Sequence, residues 1–138
     1  MSEKRECIAI VEDDAGMRKA LERLLRSVGF DARAFDSAEE FLVHAEAERH
    51  DCLILDIKLP GISGPELFRR LESEDKNLPT VFITAQQGNW VRGQPNLIGH
   101  RVCLCKPFSD SLLIGAVKAA MSSARVKKES QTNLGLTS

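Results

Sequence analysis

Apolar residues along this chain come in two rhythms that alternate. Cys7 to Val11, Cys52 to Asp56, Pro79 to Thr84 and Arg101 to Cys105 are short, nearly continuous apolar runs, too brief for helices and built as strands covered on both faces. Asp31 to Phe35 reads as a further short strand. Between these runs the spacing changes to that of a helix. Met17, Leu21, Leu24, Leu25 and Val28 share one side of a predicted first helix, which Gly29 closes. Phe41, Leu42 and Ala45 mark a second, with Asp36 or Ser37 as its cap and Glu39 and Glu40 in its first turn, where carboxylates meet the positive end of the helix dipole. Leu67, Phe68 and Leu71 mark a third. Gly64-Pro65 opens it, because a missing N–H costs nothing in a first turn. Leu112, Leu113, Ala116, Val117 and Ala120 line the last helix behind a Ser109 cap.

Five strands alternating with helices through short connections imply a parallel sheet with helices on both faces, since right-handed crossovers allow little else. The predicted fold is a doubly wound α/β domain over residues 5–123. Its fourth helix is atypical: residues 86–100, which include Trp90, hold three glycines and Pro95. A short, distorted or mobile segment is expected there. Residues 124–138 are polar and aperiodic, which predicts a disordered tail with Lys127-Lys128 as a solvated pair.

Composition narrows the class. A chain of 138 residues, 43% apolar and 28% charged, can build one sizeable core. Its net charge of -1 offers no basic field, so direct nucleic-acid binding is not expected. No apolar stretch approaches the ~20 residues of a membrane span, and the charged opening lacks the form of a secretion leader. No membrane contact and a cytoplasmic location follow as expectations. Cys7, Cys52, Cys103 and Cys105 all fall in strand runs, without the spacing of a zinc site or a disulfide framework, and read as buried reduced thiols.

The chemistry sits where strands end. Asp56 closes the Cys52 run, Glu12-Asp13-Asp14 follow Val11, and Lys106-Pro107 follow Cys105. Open α/β sheets bind ligands at the carboxyl ends of their strands. Placed side by side, Glu12, Asp13 and Asp56 sum to about -3 against about +1 from Lys106, a balance that a divalent cation completes. Every candidate ligand is an oxygen, which suits magnesium. A carboxylate beside magnesium and an ammonium is suited to attack a phosphoryl group and form an acyl phosphate, and Asp56 is the predicted nucleophile. Magnesium and Lys106 would neutralise charge on the phosphoryl oxygens. Thr84, ending the Pro79 run, offers either a hydroxyl for a phosphoryl oxygen or a strand-end cap.

Four segments carry a family resemblance: Ile10-Val11-Glu12-Asp13-Asp14, Leu55-Asp56-Ile57-Lys58-Leu59-Pro60-Gly61-Ile62-Ser63-Gly64, Ile83-Thr84-Ala85 and Lys106-Pro107-Phe108. In order and spacing the chain resembles the receiver domain of two-component response regulators, of the chemotaxis-receiver kind, over residues 6–123. The resemblance implies a flavodoxin-like sheet of strand order 2-1-3-4-5. It implies that Asp56 accepts a phosphoryl group from a histidine kinase or a histidine phosphotransfer protein, and that the output is contact with a downstream protein. Asp13 would bind Mg2+ directly, Glu12 through a water, and Lys58 through its carbonyl, while Thr84 and Lys106 would hold the phosphoryl oxygens. It also implies a cis Lys106-Pro107 peptide and leaves Asp14 solvated.

Some residues depart from that pattern. Cys103 stands three positions before Lys106, where the family carries an aromatic switch, and it cannot swing a ring between buried and exposed states. Lys58 and Gln86, each two positions beyond a site residue, flank the expected path of water to the acyl phosphate. An aspartate-nucleophile phosphatase would need an acid where Lys58 stands. Two further readings remain: a receiver-like interaction module with little response to phosphate, and the receiver half of a longer regulator with a DNA-binding effector.

Overall fold

The computed structural model of this chain describes residues 5–85, 95–98 and 101–137, with 95–98 and 125–137 described as backbone alone. In chain order the elements are β1 (Cys7–Val11), α1 (Ala15–Ser27), β2 (Asp31–Phe35), α2 (Ala38–His44), β3 (Cys52–Asp56), α3 (Gly64–Ser73), β4 (Thr80–Thr84), β5 (Pro95–Ile98), β6 (Arg101–Cys105) and α4 (Asp110–Thr137). They form one sheet of order β2-β1-β3-β4-β6-β5. The five predicted strands pair parallel with one another and, with β6 as the fifth, stand in the order that the resemblance implies.

The sixth strand, β5, is new. It runs antiparallel to β6, with Pro95 opposite Leu104 and Ile98 opposite Arg101. It lies at the sheet edge and opens on Pro95, a place where a residue without an N–H removes nothing from the ladder. Among the described residues no helix stands between β4 and β6. Gln86 and Trp90 lie outside the described residues, with the rest of 86–94 and 99–100.

Alternation along each strand splits the core between the two faces of the sheet. Ile8, Ile10, Cys52, Ile54, Val81, Ile83 and Leu104 face α1 and α4, meeting Leu21, Leu25, Leu113, Val117 and Met121. Ala9, Val11, Leu53, Leu55, Phe82 and Cys103 face α2 and α3, meeting Ala38, Phe41, Leu67 and Leu71. Helices on both faces leave the strand ends as the open edge of the molecule. The caps follow the sequence: Ser37 accepts from the Glu40 N–H at 3.1 Å and Ser109 from the Leu112 N–H at 3.1 Å. The last helix continues to Thr137, through residues for which composition predicts a disordered tail. That stretch contains no proline, and its first half holds the good helix formers Ala124, Arg125, Lys127, Lys128, Glu129 and Gln131.

Gly64 sets the distance between α3 and the tip of β3. Its N–H donates to the Ile57 carbonyl at 3.1 Å, and a Cβ at this position would overlap the Asp56 carbonyl. Because the obstacle is main chain, it cannot rotate away. Gly64→Ala is therefore expected to destabilise by ~2 kcal/mol or more and to displace Asp56, measured by urea unfolding.

Candidate functional site

Four strand ends build the site. Glu12 and Asp13 follow β1, Asp56 is the last residue of β3, Thr84 is the last of β4, and Lys106 follows β6. Because β1, β3, β4 and β6 are parallel neighbours, their carboxyl ends open on the same edge. Carboxylate oxygens of Glu12, Asp13 and Asp56 lie within 4.8 Å of one another. The Lys106 ammonium forms an ion pair with Glu12 and stands 3.5 Å from Asp56 Oδ2. Thr84 is buried at the end of β4, one position beyond Ile83, which is in register with Asp56. The Lys106-Pro107 peptide is cis.

Glu12 is fully buried and Asp56 nearly so, at 0% and 5% exposure, while Asp13 is exposed. Such burial of two acids needs a partner, and Lys106 supplies it. Burial lifts the Glu12 carboxyl above its usual range, contact with Asp56 lifts it further, and Lys106 opposes both. Burial and the Glu12 carboxylate push Asp13 upward as well. For Lys106 burial works against the charge, but the Glu12 and Asp56 carboxylates win, and its proton is held more tightly than in free lysine. The ammonium therefore persists across the neutral range.

The donor set fits magnesium. Three carboxylates at this spacing, all hard oxygen donors, carry excess negative charge even after Lys106 is counted. Burial first, and the neighbouring carboxylates after it, raise the Glu12 and Asp13 values, and that raise is a folding cost. A carboxyl whose folded pKa is raised adds stability at low pH and loses it as pH rises through that value, so at neutral pH the crowded charges weaken the fold. Asp13→Asn is accordingly expected to raise the melting temperature in chelator at neutral pH, to lose that advantage in mild acid, and to gain less from added magnesium. Melting curves with and without the metal check all three.

Lys58 is exposed, and its N–H donates to Asp56 Oδ1 at 3.2 Å, fixing the turn of the carboxylate. Cys103 is fully buried against the α2–α3 face, and its thiol, like that of Cys52, is pushed up to about 12 by burial. All four cysteines are free, as expected. Asp14 is not merely solvated. Its Oδ2 accepts from the Met17 N–H at 2.7 Å and caps α1, a role that an aspartate just before a helical pattern signals. The roles of two side chains are not signalled by the sequence. Arg18 Nη1 donates to the Glu12 and Asp13 carbonyls, and Glu39 Oε2 accepts from the Ile62 N–H at 3.1 Å, tying α2 to the loop after Asp56. Gly61, at φ +75°, makes room for that carboxylate.

Comparison with known proteins converges on one family. A family model described as the response regulator receiver domain matches residues 8–118. Nodulation protein W of Bradyrhizobium diazoefficiens is 37% identical over 124 residues, covering 90% of this chain and 55% of that protein. The response regulator StyR superposes with a TM-score of 0.77 at 34% identity, over 96% of this chain and 69% of that one. A response regulator receiver protein from Burkholderia phymatum superposes with a TM-score of 0.72 at 40% identity, over 86% of this chain and 96% of that one. The chain spans about half the length of the curated relatives it matches. No helix among the described residues is long and apolar enough to cross a membrane.

Proposed function

This chain belongs to the response regulator receiver domain family, and we propose that it takes a phosphoryl group onto Asp56 with magnesium bound beside it. The donor would be a histidine kinase or a histidine phosphotransfer protein. The observation that carries this reading is the meeting of Glu12, Asp13, Asp56 and Lys106 at one sheet edge.

Asp56 attacks phosphorus as a carboxylate, the P–N bond to the donor histidine breaks and the imidazole leaves, and the product is an acyl phosphate on β3. Its rotation is set by the Lys58 N–H at 3.2 Å, so that the attacking oxygen is positioned before the donor arrives. Lys106, already drawn toward Asp56, offsets charge on the transferred oxygens. The Thr84 hydroxyl, at the next strand end, would hold another of those oxygens. Glu12, Asp13 and Asp56, with the Lys58 carbonyl, would hold magnesium, which supplies charge neutralisation for the phosphoryl oxygens.

Output would run through protein contacts on the surface near β4 to β6. Cys103 has no ring to exchange between buried and exposed positions, so the switch cannot depend on an aromatic residue at that point. The share of its relatives that this chain covers favours a second reading of the output, in which the phosphorylated receiver acts on a further domain of a longer regulator. The mass of the natural gene product decides between them. For the phosphorylation itself, incubation with acetyl phosphate and magnesium should add the mass of one phosphoryl group, and chelation should prevent it. An unchanged mass with magnesium present would refute the proposal.

A further inference from the structure

Arg18 lies in the second turn's approach of α1, outside the acid pocket, yet it reaches back across the turn that bears two of the pocket's acids. Its Nη1 donates to the Glu12 carbonyl at 3.0 Å and to the Asp13 carbonyl at 3.0 Å. Both carbonyls precede α1, so the ladder of the helix offers them no donor. The same turn is braced at its other groups. The Glu12 N–H donates to the Phe35 carbonyl at 3.1 Å, the Asp14 N–H to Glu12 Oε2 at 3.2 Å, and Asp14 caps the helix through Met17. Arg18 completes this set from the side chain of a residue one turn into α1.

Charge gives the placement its meaning. A guanidinium near three carboxylates has the paired fork on a carboxylate as its strongest alternative, and seated on Asp13 it would occupy the lone pairs a divalent cation needs. Instead the ion pairs of Glu12 and Asp56 run to Lys106, while Arg18 is held on the main chain.

We propose that Arg18 is a positioning residue for magnesium: pinned to the Glu12 and Asp13 carbonyls, it fixes how both carboxylates project and keeps its own charge off them. The inference rests on the reading of the pocket as a magnesium site. Calorimetric titration of magnesium into the 138-residue chain tests it, comparing wild type with Arg18→Met and Arg18→Lys, alongside melting curves of each in chelator. Loss of the brace should weaken magnesium binding by about tenfold or more. Lysine should not restore it, because one ammonium on a flexible stem cannot hold both carbonyls and is free to settle on Asp13. A lowered melting temperature with unchanged magnesium affinity would show a structural role alone and overturn the proposal, as would an Arg18→Lys chain that binds like wild type. Should Arg18→Met fail to fold, Arg18→Gln provides the same comparison. If wild type itself takes up no magnesium, the pocket reading fails and this inference falls with it; normal binding in wild type and variants alike removes only the brace.

Discussion

Asp56→Asn leaves the chain unable to gain a phosphoryl group from acetyl phosphate and magnesium, while the fold stays in place. The amide is close in shape to the carboxylate and can still accept the Lys58 N–H that reaches Asp56 Oδ1 at 3.2 Å, so the tip of β3 keeps its local partner. What it lacks is nucleophilicity: an amide oxygen carries no full negative charge and forms no acyl phosphate. Other carboxylates of the pocket cannot replace it. Glu12 is fully buried and paired with Lys106, and Asp13 sits at the exposed mouth. Intact mass reads uptake, and a melting curve on the same sample shows whether the fold survived. Continued uptake by a folded Asp56→Asn chain would move the acceptor elsewhere.

Lys106→Met should cost on the order of 3 kcal/mol at neutral pH, because it removes one partner of a buried charge cluster and leaves the others. The side chains of Glu12 and Asp56 are 1% and 7% exposed, so water cannot take over the role of the ammonium. The loss is expected to depend on pH. Glu12 already holds its proton above the ordinary carboxylate range, chiefly through burial, and without Lys106 that shift grows. Stability tied to a raised carboxyl value is present at low pH and lost as pH rises through it, so the variant should recover toward wild type in mild acid. Magnesium should recover part of the loss at neutral pH, since a cation on the same carboxylates replaces the missing charge. Urea unfolding in the four combinations of neutral or acid pH, with or without magnesium, reads the pattern. A loss that ignores both pH and metal would mean that Lys106 acts through packing instead.

Much of this architecture is legible in the chain because its local signals agree with its tertiary needs. The unbroken apolar run Cys52 to Leu55 reads as a strand covered on both faces, and its burial agrees; Asp56 at its end stands out because the Val11 and Cys105 runs also end in charges. The pairing of β1, β3, β4 and β6 then brings the remaining charges together. What escaped depends on partners distant in sequence or on weak local preference. Pro95 and the nearby glycines oppose a helix, but only the alignment of β6 turns Pro95–Ile98 into a strand. The long continuation of α4 has no apolar stripe to announce it. Arg18 and Glu39 look like ordinary helix-surface charges, because nothing in the spacing tells which backbone groups they will meet.

The most direct test is to locate the modification. Hydride reduces an acyl phosphate to the alcohol, so borohydride applied after acetyl phosphate treatment should convert Asp56 to homoserine, read by peptide mass. That change is expected at Asp56, in the presence of magnesium and not in chelator. Conversion at any other acid, or none at all while magnesium is bound, would contradict it.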